Sequence, residues 1–342
     1  MKNMGTIGGA DYILSKNGRE KEMIKTSALN VVFIGQNSLA TFIPLGELAK
    51  HHNIIGIIES APRGFTNKQS RLKKIINNTR SIYNQYSLKR YANTNKLPYY
   101  LLTKNGHDGM VEFLNRLRPD VICVSSMSQL LIPEAFNIPK HGTINVHSSF
   151  LPEYRGPNPI FWQIYNMETQ GGVTVHYIDV GEDTGDIIKQ ERFPIRMGTN
   201  AEEILLTAKN IGAKLLVEAL NEIAAGNVYR YQQPAKSPIE QARNIKPDEH
   251  LIDWEAWGIE RIWHVLNGTR DRLIAIPAPK GILNQGYFWE IGKYELVCDN
   301  EEPGSVYKKD GKYFVSHKDG RILLNKRFSV KKFVSETIWK VL

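Results

Sequence analysis

The sequence predicts an α/β fold in which a parallel sheet with covering helices is followed by a small β-rich unit, a barrel or a sandwich. From Asn30 onward, short apolar runs alternate with helix-compatible segments, which is the pattern of a parallel α/β sheet. After Pro277 the chain changes to short β-like runs at regular spacing, with glycine and aspartate turns. A length of 342 residues, with 42% hydrophobic and 23% charged residues, suits two globular domains or one large domain with an appendage.

The elements of the first part follow from where each apolar run begins and ends. Strands are predicted at Asn30–Gly35, Ile54–Ile58, Pro98–Leu102, Val121–Val124, Gly142–Val146 and Val173–Ile178. Helices are predicted at Leu39–His51, from Lys68 through about Tyr91, around Gly109–Leu117, at Phe161–Met167 and at Ala201–Ala225. The stretch HSSFLPEYRGPNP, which starts at His147, contains three prolines and a glycine and is therefore predicted to be a loop.

The last part of the chain begins with a polar stretch, which predicts a linker that crosses the surface. A helix is predicted at Glu255–Leu266. Short strands are predicted at Tyr287–Ile291, Tyr294–Val297, Ser305–Tyr307, Tyr313–Ser316 and Ile322–Leu324. We therefore divide the chain into an N-terminal extension at 1–29, a first domain at 30–226, a linker at 227–254 and a C-terminal β-rich domain at 255–342.

The charge and cysteine content narrow the class of protein. A net charge of +9 favours an anionic partner, which could be a phosphorylated metabolite, a polyglutamylated cofactor or a nucleic acid. Much of the excess lies in 68–90, although a basic helix face is usually only solvated. Cys123 and Cys298 are too isolated for a disulfide framework or a zinc site. No apolar run approaches the roughly 20 residues of a membrane span, and the first residues lack a signal peptide, so we expect no membrane contact and a cytoplasmic location.

Two polar residues at the end of one predicted strand are candidates for chemistry. Asn145 and His147 are two positions apart, so their side chains point to the same side of the sheet. They lie at the carboxyl end of a parallel strand, where open α/β sheets place their ligands. An acidic loop at 179–186 follows a later strand. It could be a solvated turn or could coordinate a cation, but its spacing does not follow the EF-hand pattern.

These two segments together resemble one protein family. HGTINVHSSFLPEYRGPNP at 141–159 and GGVTVHYIDVGEDTGDII at 171–188 are similar to the folate-dependent formyltransferases, which act on glycinamide ribonucleotide, methionyl-tRNA or nucleotide-linked amino sugars. The resemblance covers roughly 30–225. It implies a Rossmann-like formyltransferase catalytic domain at 30–226, an OB-like β-barrel after it, 10-formyltetrahydrofolate as formyl donor and no metal.

The resemblance also implies the residues of the site. The family's catalytic asparagine, histidine and aspartate match Asn145, His147 and Asp183. The residues expected to bind the folate are Met127, Gln129, Leu131, Ile132, Asp179, Val180 and Gly181, with Gln129 standing where relatives often have glycine. The residues expected to bind the acceptor are Tyr154, Arg155, Gly156, Pro157, Asn158 and Phe161.

The chemistry of formyl transfer is consistent with these residue types. Attack of an amine on a formyl group produces an oxyanion and an ammonium that must lose a proton. Asn145 and His147 N–H groups can donate to the oxyanion. Asp183 can orient His147, or can receive the proton directly or through a water, and the sequence does not divide these roles. Ser148 and Ser149 lack the G-x-S-x-G context of a serine nucleophile, and Gly5–Gly9 lacks the spacing of a dinucleotide site.

Further segments of the sequence limit which class of acceptor is expected. Leu251–Trp254, Pro303–Tyr307 and Asp319–Leu324 resemble the region shared by the methionyl-tRNA and amino-sugar enzymes, which disfavours glycinamide ribonucleotide. The usual tRNA-contacting loop after the second strand is not recognisable, and Arg155–Trp162 looks more like the amino-sugar enzymes. We therefore expect a nucleotide-linked amino sugar used for surface glycans, and no nucleic-acid partner. The alternatives are a methionyl-tRNA formyltransferase and a non-catalytic or hydrolytic formyl-folate-binding relative. Whether the chain forms a homo-oligomer stays open.

Overall fold

The computed structural model describes residues 28–62, 65, 85–246, 249–269, 275–279, 285–297, 299–330 and 332–334. Most of the predicted N-terminal extension, the greater part of the predicted basic helix at 68–90 and Cys298 lie outside these residues.

Among the described residues, the larger sheet has seven strands in the order β3-β2-β1-β4-β5-β6-β7. They are β1 (Asn30–Gly35), β2 (Asn53–Ser60), β3 (Tyr99–Leu102), β4 (Val121–Ser125), β5 (Thr143–His147), β6 (Gln170–Tyr177) and β7 (Ile187–Pro194). The first five strands are parallel, with the strand order of a Rossmann-like fold, as the sequence predicts.

The prediction of a parallel sheet is wrong for β6, which is antiparallel to β5. The unpredicted strand β7 is in turn antiparallel to β6. They form a hairpin whose loop is the acidic segment 178–186, and a short loop can join only antiparallel neighbours. Strand β7 is not predicted from the sequence, because its centre is polar and its outer part is exposed at the sheet edge.

Helices cover both faces of this sheet. They are α1 (Leu39–Leu48), α2 (Leu88–Thr94), α3 (His107–Leu117), α4 (Pro133–Phe136), α5 (Pro159–Tyr165) and α6 (Ala201–Ala224). Val31 and Phe33 of β1 face a core that includes residues of α1 and α6. Val32 and Ile34 face the opposite core, which includes residues of α3 and α4. This alternation on a strand buried on both faces explains its uninterrupted apolar sequence.

In the part of the chain that the structure describes, the smaller sheet has four antiparallel strands in the order β8-β11-β10-β9. They are β8 (Tyr287–Glu295), β9 (Val306–Lys309), β10 (Lys312–His317) and β11 (Gly320–Phe328), and helix α7 (Ile259–Thr269) packs against them. The two strands predicted between Tyr287 and Val297 are one strand with an irregular register opposite β11. The described residues form this four-stranded sheet, and they do not confirm the OB-like barrel expected from the resemblance.

Among the described helices, none combines the length and the apolar character needed to cross a bilayer.

Candidate active site

The candidate site lies at the carboxyl ends of the central parallel strands. A cavity of about 430 Å³ is lined there by Gln36 after β1, Ser126 after β4 and His147 at the end of β5. Ile144 and Val146 of β5 belong to the core on the α6 side of the sheet. The alternation of the strand therefore directs Asn145 and His147 to the other face, toward the cavity.

The structure brings Asn145, His147 and Asp183 together at this cavity. His147 Nδ1 lies 3.4 Å from Asp183 Oδ2, and both side chains are largely buried. His147 Nε2–H donates to the Tyr154 carbonyl at 3.0 Å, because a carbonyl can only accept. The ring of His147 is therefore held between a carbonyl and a carboxylate, with Nδ1 facing the carboxylate.

A second histidine, His176 on β6, belongs to the same cluster and was missed by the sequence analysis. His176 is paired in register with Asn145 and is 1% exposed. Its Nδ1–H donates to the Tyr177 carbonyl at 2.8 Å, which leaves Nε2 to accept an N–H from Asn145 Nδ2 at 3.1 Å. His176 Nε2 also lies 3.5 Å from Asp183 Oδ1. In the sequence His176 stands within an apolar strand, where a histidine reads as ordinary core.

Hydrogen bonds within the protein hold the loop that carries Asp183. Asp183 has a left-handed backbone (φ 56°), which aspartate tolerates better than most residues. Its Oδ2 accepts the Gly156 N–H at 2.9 Å. Gln233 Nε2–H donates to the carbonyls of Asp183 and Gly185, at 3.0 and 2.7 Å. Asp179 accepts from Thr184 Oγ1 at 2.6 Å within the same loop. These hydrogen bonds hold the Asp183 carboxylate beside His147.

The electrostatics of the cluster favour an ionised aspartate beside a neutral histidine. Burial of the ring lowers the pKa of His147, and the carboxylate of Asp183 only partly offsets this effect. Burial alone would raise the pKa of Asp183, but His147, His176 and the Gly156 N–H together hold this pKa below its usual value. At neutral pH the cluster therefore contains a carboxylate and an imidazole that can accept a proton.

Most of the residues expected to bind the folate line the cavity. These are Met127, Gln129, Leu131, Asp179, Val180 and Gly181. Ile132 does not line it and packs instead against the core that contains Leu131 and Phe136. The amide of Gln129 donates to the Ala61 carbonyl at 3.0 Å and accepts from Ser60, so its side chain also anchors its loop to the end of β2.

The residues expected to bind the acceptor divide into two groups. Gly156, Pro157, Asn158 and Phe161 line the cavity, whereas Tyr154 and Arg155 do not. Tyr154 Oη–H donates to Glu168 at 2.5 Å, and this side chain is buried. The guanidinium of Arg155 is also buried and donates to Gln233 Oε1 at 2.8 and 3.1 Å and to the Pro234 carbonyl at 2.8 Å. Arg155 therefore holds the predicted linker against the catalytic loop.

Lys209 of α6 is a further cavity residue that the sequence analysis did not identify. Its side chain is 3% exposed, and Nζ donates to Ser125 Oγ and to the Val146 carbonyl, both at 3.1 Å. Burial lowers its pKa to about 8. The available signal was a single lysine between Ala208 and Gly212 on the apolar side of an amphipathic helix.

Comparison with known proteins gives a family and several relatives. The family model described as formyl transferase matches residues 30–220. The methionyl-tRNA formyltransferase of Thermodesulfovibrio yellowstonii is 31% identical over 255 residues, which are 72% of this chain and 80% of that protein. The methionyl-tRNA formyltransferase of Clostridium tetani is 33% identical over 236 residues, or 67% of this chain and 73% of that protein.

Solved structures resemble the fold at low sequence identity. WlaRD, a sugar 3N-formyl transferase crystallised with dTDP and 5-N-formyl-THF, is 18% identical with a TM-score of 0.59, covering 89% of this chain and 100% of that chain. The N-formyltransferase of Helicobacter canadensis, in complex with folinic acid and dTDP-3-aminofucose, is 18% identical. Its TM-score is 0.57, and the match covers 86% of this chain and 99% of that chain. HypX of Aquifex aeolicus with tetrahydrofolic acid is 18% identical with a TM-score of 0.57, covering 89% of this chain and 45% of that chain. These likenesses show the fold.

Proposed function

Because the chain belongs to the folate-dependent formyltransferase family, we propose that it transfers a formyl group from 10-formyltetrahydrofolate to the amino group of a nucleotide-linked amino sugar. The observation that carries this proposal is the cluster of Asn145, His147 and Asp183 at one cavity, with the carboxylate and the imidazole 3.4 Å apart. The corresponding division of the chain is a catalytic domain at 30–226, a linker at 227–254 and an accessory β-rich domain at 255–342.

The character of the cavity fits a reduced folate as formyl donor. Met127, Leu131 and Ile178 contribute apolar surface to its lining. Leu130 and Val180 also line it, although they are 65% and 84% exposed, which places apolar side chains at its open edge. A flat, partly apolar ring system gains free energy by burying its faces against such groups. The donor's formyl group would then have to reach the polar cluster formed by Asn145 and His147.

We assign the stabilisation of the oxyanion to Asn145. An amide nitrogen carries two N–H groups, and bonding one of them to His176 leaves the other for a ligand in the cavity. A preorganised donor of this kind is typically worth about 3–4 kcal/mol in the transition state. His147 Nε2–H is committed to the Tyr154 carbonyl, so in this arrangement we do not assign it the same role.

We assign the removal of the proton from the attacking amine to His147, with Asp183 as its partner. Nδ1 of the neutral ring faces the carboxylate and can accept the proton, after which the imidazolium is stabilised by the adjacent negative charge. The amine attacks the formyl carbon directly and gives up a proton to His147. The bond from that carbon to the folate nitrogen then breaks, and this nitrogen takes the proton back from the imidazolium, so that the folate leaves as tetrahydrofolate. No covalent intermediate with the protein is required.

The surface next to the cavity supports a nucleotide-linked acceptor. Asn158 lines the cavity, and beside it the Arg243 guanidinium lies 4.9 Å from the centre of the Trp162 ring. Trp162 Nε1–H donates to the Arg243 carbonyl at 2.9 Å, which fixes the orientation of the ring. The Arg243 guanidinium is paired with the Glu249 carboxylate, so the group offered to a nucleotide is the indole of Trp162, whose face can stack on a base. An amino sugar in the cavity would place its nucleotide over this surface.

A methionyl-tRNA acceptor is the second candidate. The relatives from T. yellowstonii and C. tetani carry that name, and the net charge of +9 is compatible with a nucleic acid. The smaller sheet also contains lysine and tyrosine side chains in contact, with Lys326 Nζ 4.5 Å from the centre of the Tyr287 ring. Such pairs can contact a polynucleotide.

Mass spectrometry with a panel of acceptors decides between the candidates. The protein is incubated with 10-formyltetrahydrofolate and either nucleotide-linked amino sugars or initiator methionyl-tRNA. We expect a sugar nucleotide to gain the mass that replaces one hydrogen by a formyl group. Formylation of the tRNA alone would overturn the proposed acceptor. Release of formate with no formylated product would indicate the hydrolytic alternative, and an unchanged folate with every acceptor would indicate the non-catalytic one.

A further inference from the structure

We propose that Lys209 is a positioning residue for formyl transfer: its buried ammonium joins the carboxyl ends of β4 and β5 and places a positive charge beside the strand that carries His147. This inference deepens the proposed function and rests on its assignment of Asn145 and His147 as catalytic groups. Lys209 lies on α6, on the opposite side of the sheet from those two side chains. It therefore acts through the strand ends and through its charge.

The contacts of Lys209 join two neighbouring strands at the point where the site begins. Nζ donates to Ser125 Oγ, the last residue of β4, and to the carbonyl of Val146, which lies between the two catalytic residues of β5, at 3.1 Å in each case. The Ser125 side is further fixed by α1, because Thr41 Oγ1 donates to the Ser125 carbonyl at 3.4 Å. The ammonium thus restrains the peptide that orients Asn145 and His147.

A charged group would not occupy this position for packing alone. Lys209 is 3% exposed on a helix whose buried neighbours are Ala208, Gly212 and Leu216. Transfer of an ammonium from water to the protein interior is unfavourable in free energy, and an apolar side chain could fill the same space without this desolvation penalty. The side chain nevertheless reaches the end of the sheet and lines the cavity. Its third N–H is available to a ligand or a water there.

Other titratable groups line the same cavity as this ammonium. They are His147 of β5, His176 of β6 and Asp183 of the acidic loop, and the positive charge of Lys209 contributes to lowering the pKa of His147. The buried residues of α1 are Ala40, Thr41, Pro44, Leu45 and Leu48, none of which is ionisable. The described structure places no carboxylate in a salt bridge with Lys209. Its positive charge therefore acts on His147 without a paired negative charge.

The test compares three single variants. Lys209→Met removes the charge and both hydrogen bonds while keeping a long apolar side chain. Ser125→Ala removes one hydrogen bond and keeps the charge. Lys214→Met replaces an exposed lysine on the same helix and serves as the matched control. Two readouts are taken: the NMR titration of the His147 ring in the free protein, and kcat and KM for formyl transfer against pH.

In Lys209→Met we expect the pKa of His147 to rise, because an opposing positive charge has gone, and the acid limb of kcat against pH to move to higher pH. We also expect kcat to fall by about 10- to 100-fold, as for the loss of a hydrogen bond to a charged group. In Ser125→Ala we expect kcat to fall while the pKa of His147 stays unchanged. In Lys214→Met we expect both quantities to match those of the wild type. A His147 titration and a kcat in Lys209→Met that both match those of Lys214→Met would overturn the proposal.

The two readouts also separate this inference from the proposed function. The titration needs no substrate, so it tests the electrostatic role even when no amino sugar is accepted. If Lys209→Met does not fold, Ser125→Ala tests the positioning role instead. An unchanged kcat in Ser125→Ala would then overturn that role. If formyl transfer is seen with another amine, kcat is measured with that amine instead.

Discussion

Replacing Asp183 by asparagine removes the negative charge beside His147 while keeping the size of the side chain. Asparagine tolerates the left-handed backbone at this position and can still accept the Gly156 N–H, so the loop should keep its shape. The structure gives a separation of 3.4 Å between the carboxylate and His147 Nδ1. At an effective dielectric constant near 20, two full charges at that distance interact by about 5 kcal/mol.

Because proton transfer is incomplete in the transition state, only part of this energy is lost. We expect kcat of Asp183→Asn to fall by about 100- to 10,000-fold, the range for loss of acid–base assistance. The assay is formyl transfer followed by mass spectrometry of the product, with thermal unfolding to verify the fold. Asp186→Asn, a change of the same kind in the same loop, is the control and should retain activity. A kcat for Asp183→Asn within about tenfold of the wild type would refute the assignment of His147 and Asp183 as the proton-accepting pair.

Three further outcomes follow from the same contacts. Burial holds the pKa of His147 below its usual value, so the acid limb of a profile of kcat/KM against pH should lie below about pH 6.5. An acid limb above that pH would contradict a neutral His147 ring in the free protein. Arg155→Met should lower the free energy of unfolding in urea by about 1.5–3 kcal/mol, because Gln233 loses a charged partner, and an unchanged midpoint would argue against that anchor. Gly185→Ala should greatly reduce activity, because the added Cβ would lie 2.0 Å from the Tyr177 carbonyl oxygen and displace the acidic loop; wild-type kinetics would mean that the loop adapts.

The order of strands and helices in the larger sheet could be predicted because its signal is local. Runs such as NVVFIG are apolar on both faces, and only a strand covered by helices on both sides accounts for them. The direction of β6 depends on the end of the sheet from which the chain enters this strand. No residue in β6 indicates that end, so the direction could not be predicted. The polar centre of β7 further hides a strand at the edge.

The family and its three motif residues could be predicted because they lie in two compact segments of sequence. The formyl transferase match to 30–220 confirms the family, and the three motif residues do meet at one cavity. His176 and Lys209 could not be found in this way, because each looks like part of an ordinary buried element until the tertiary contacts are known. Arg155 was assigned to the acceptor because its segment resembles the region that adjoins the acceptor in the amino-sugar enzymes. Its partner Gln233 lies 78 positions away, and that pairing turns its side chain from the cavity.

The most direct test of the central claim is the single-turnover rate of formyl transfer in His147→Ala beside His51→Ala, an exposed histidine on the same chain. Saturating folate and an accepted amine isolate the chemical step from product release. With His147 as the proton acceptor, His147→Ala should lose about 100- to 10,000-fold in rate and His51→Ala should match the wild type. A near-wild-type rate in His147→Ala, with the fold intact, would contradict a catalytic site built on Asn145, His147 and Asp183.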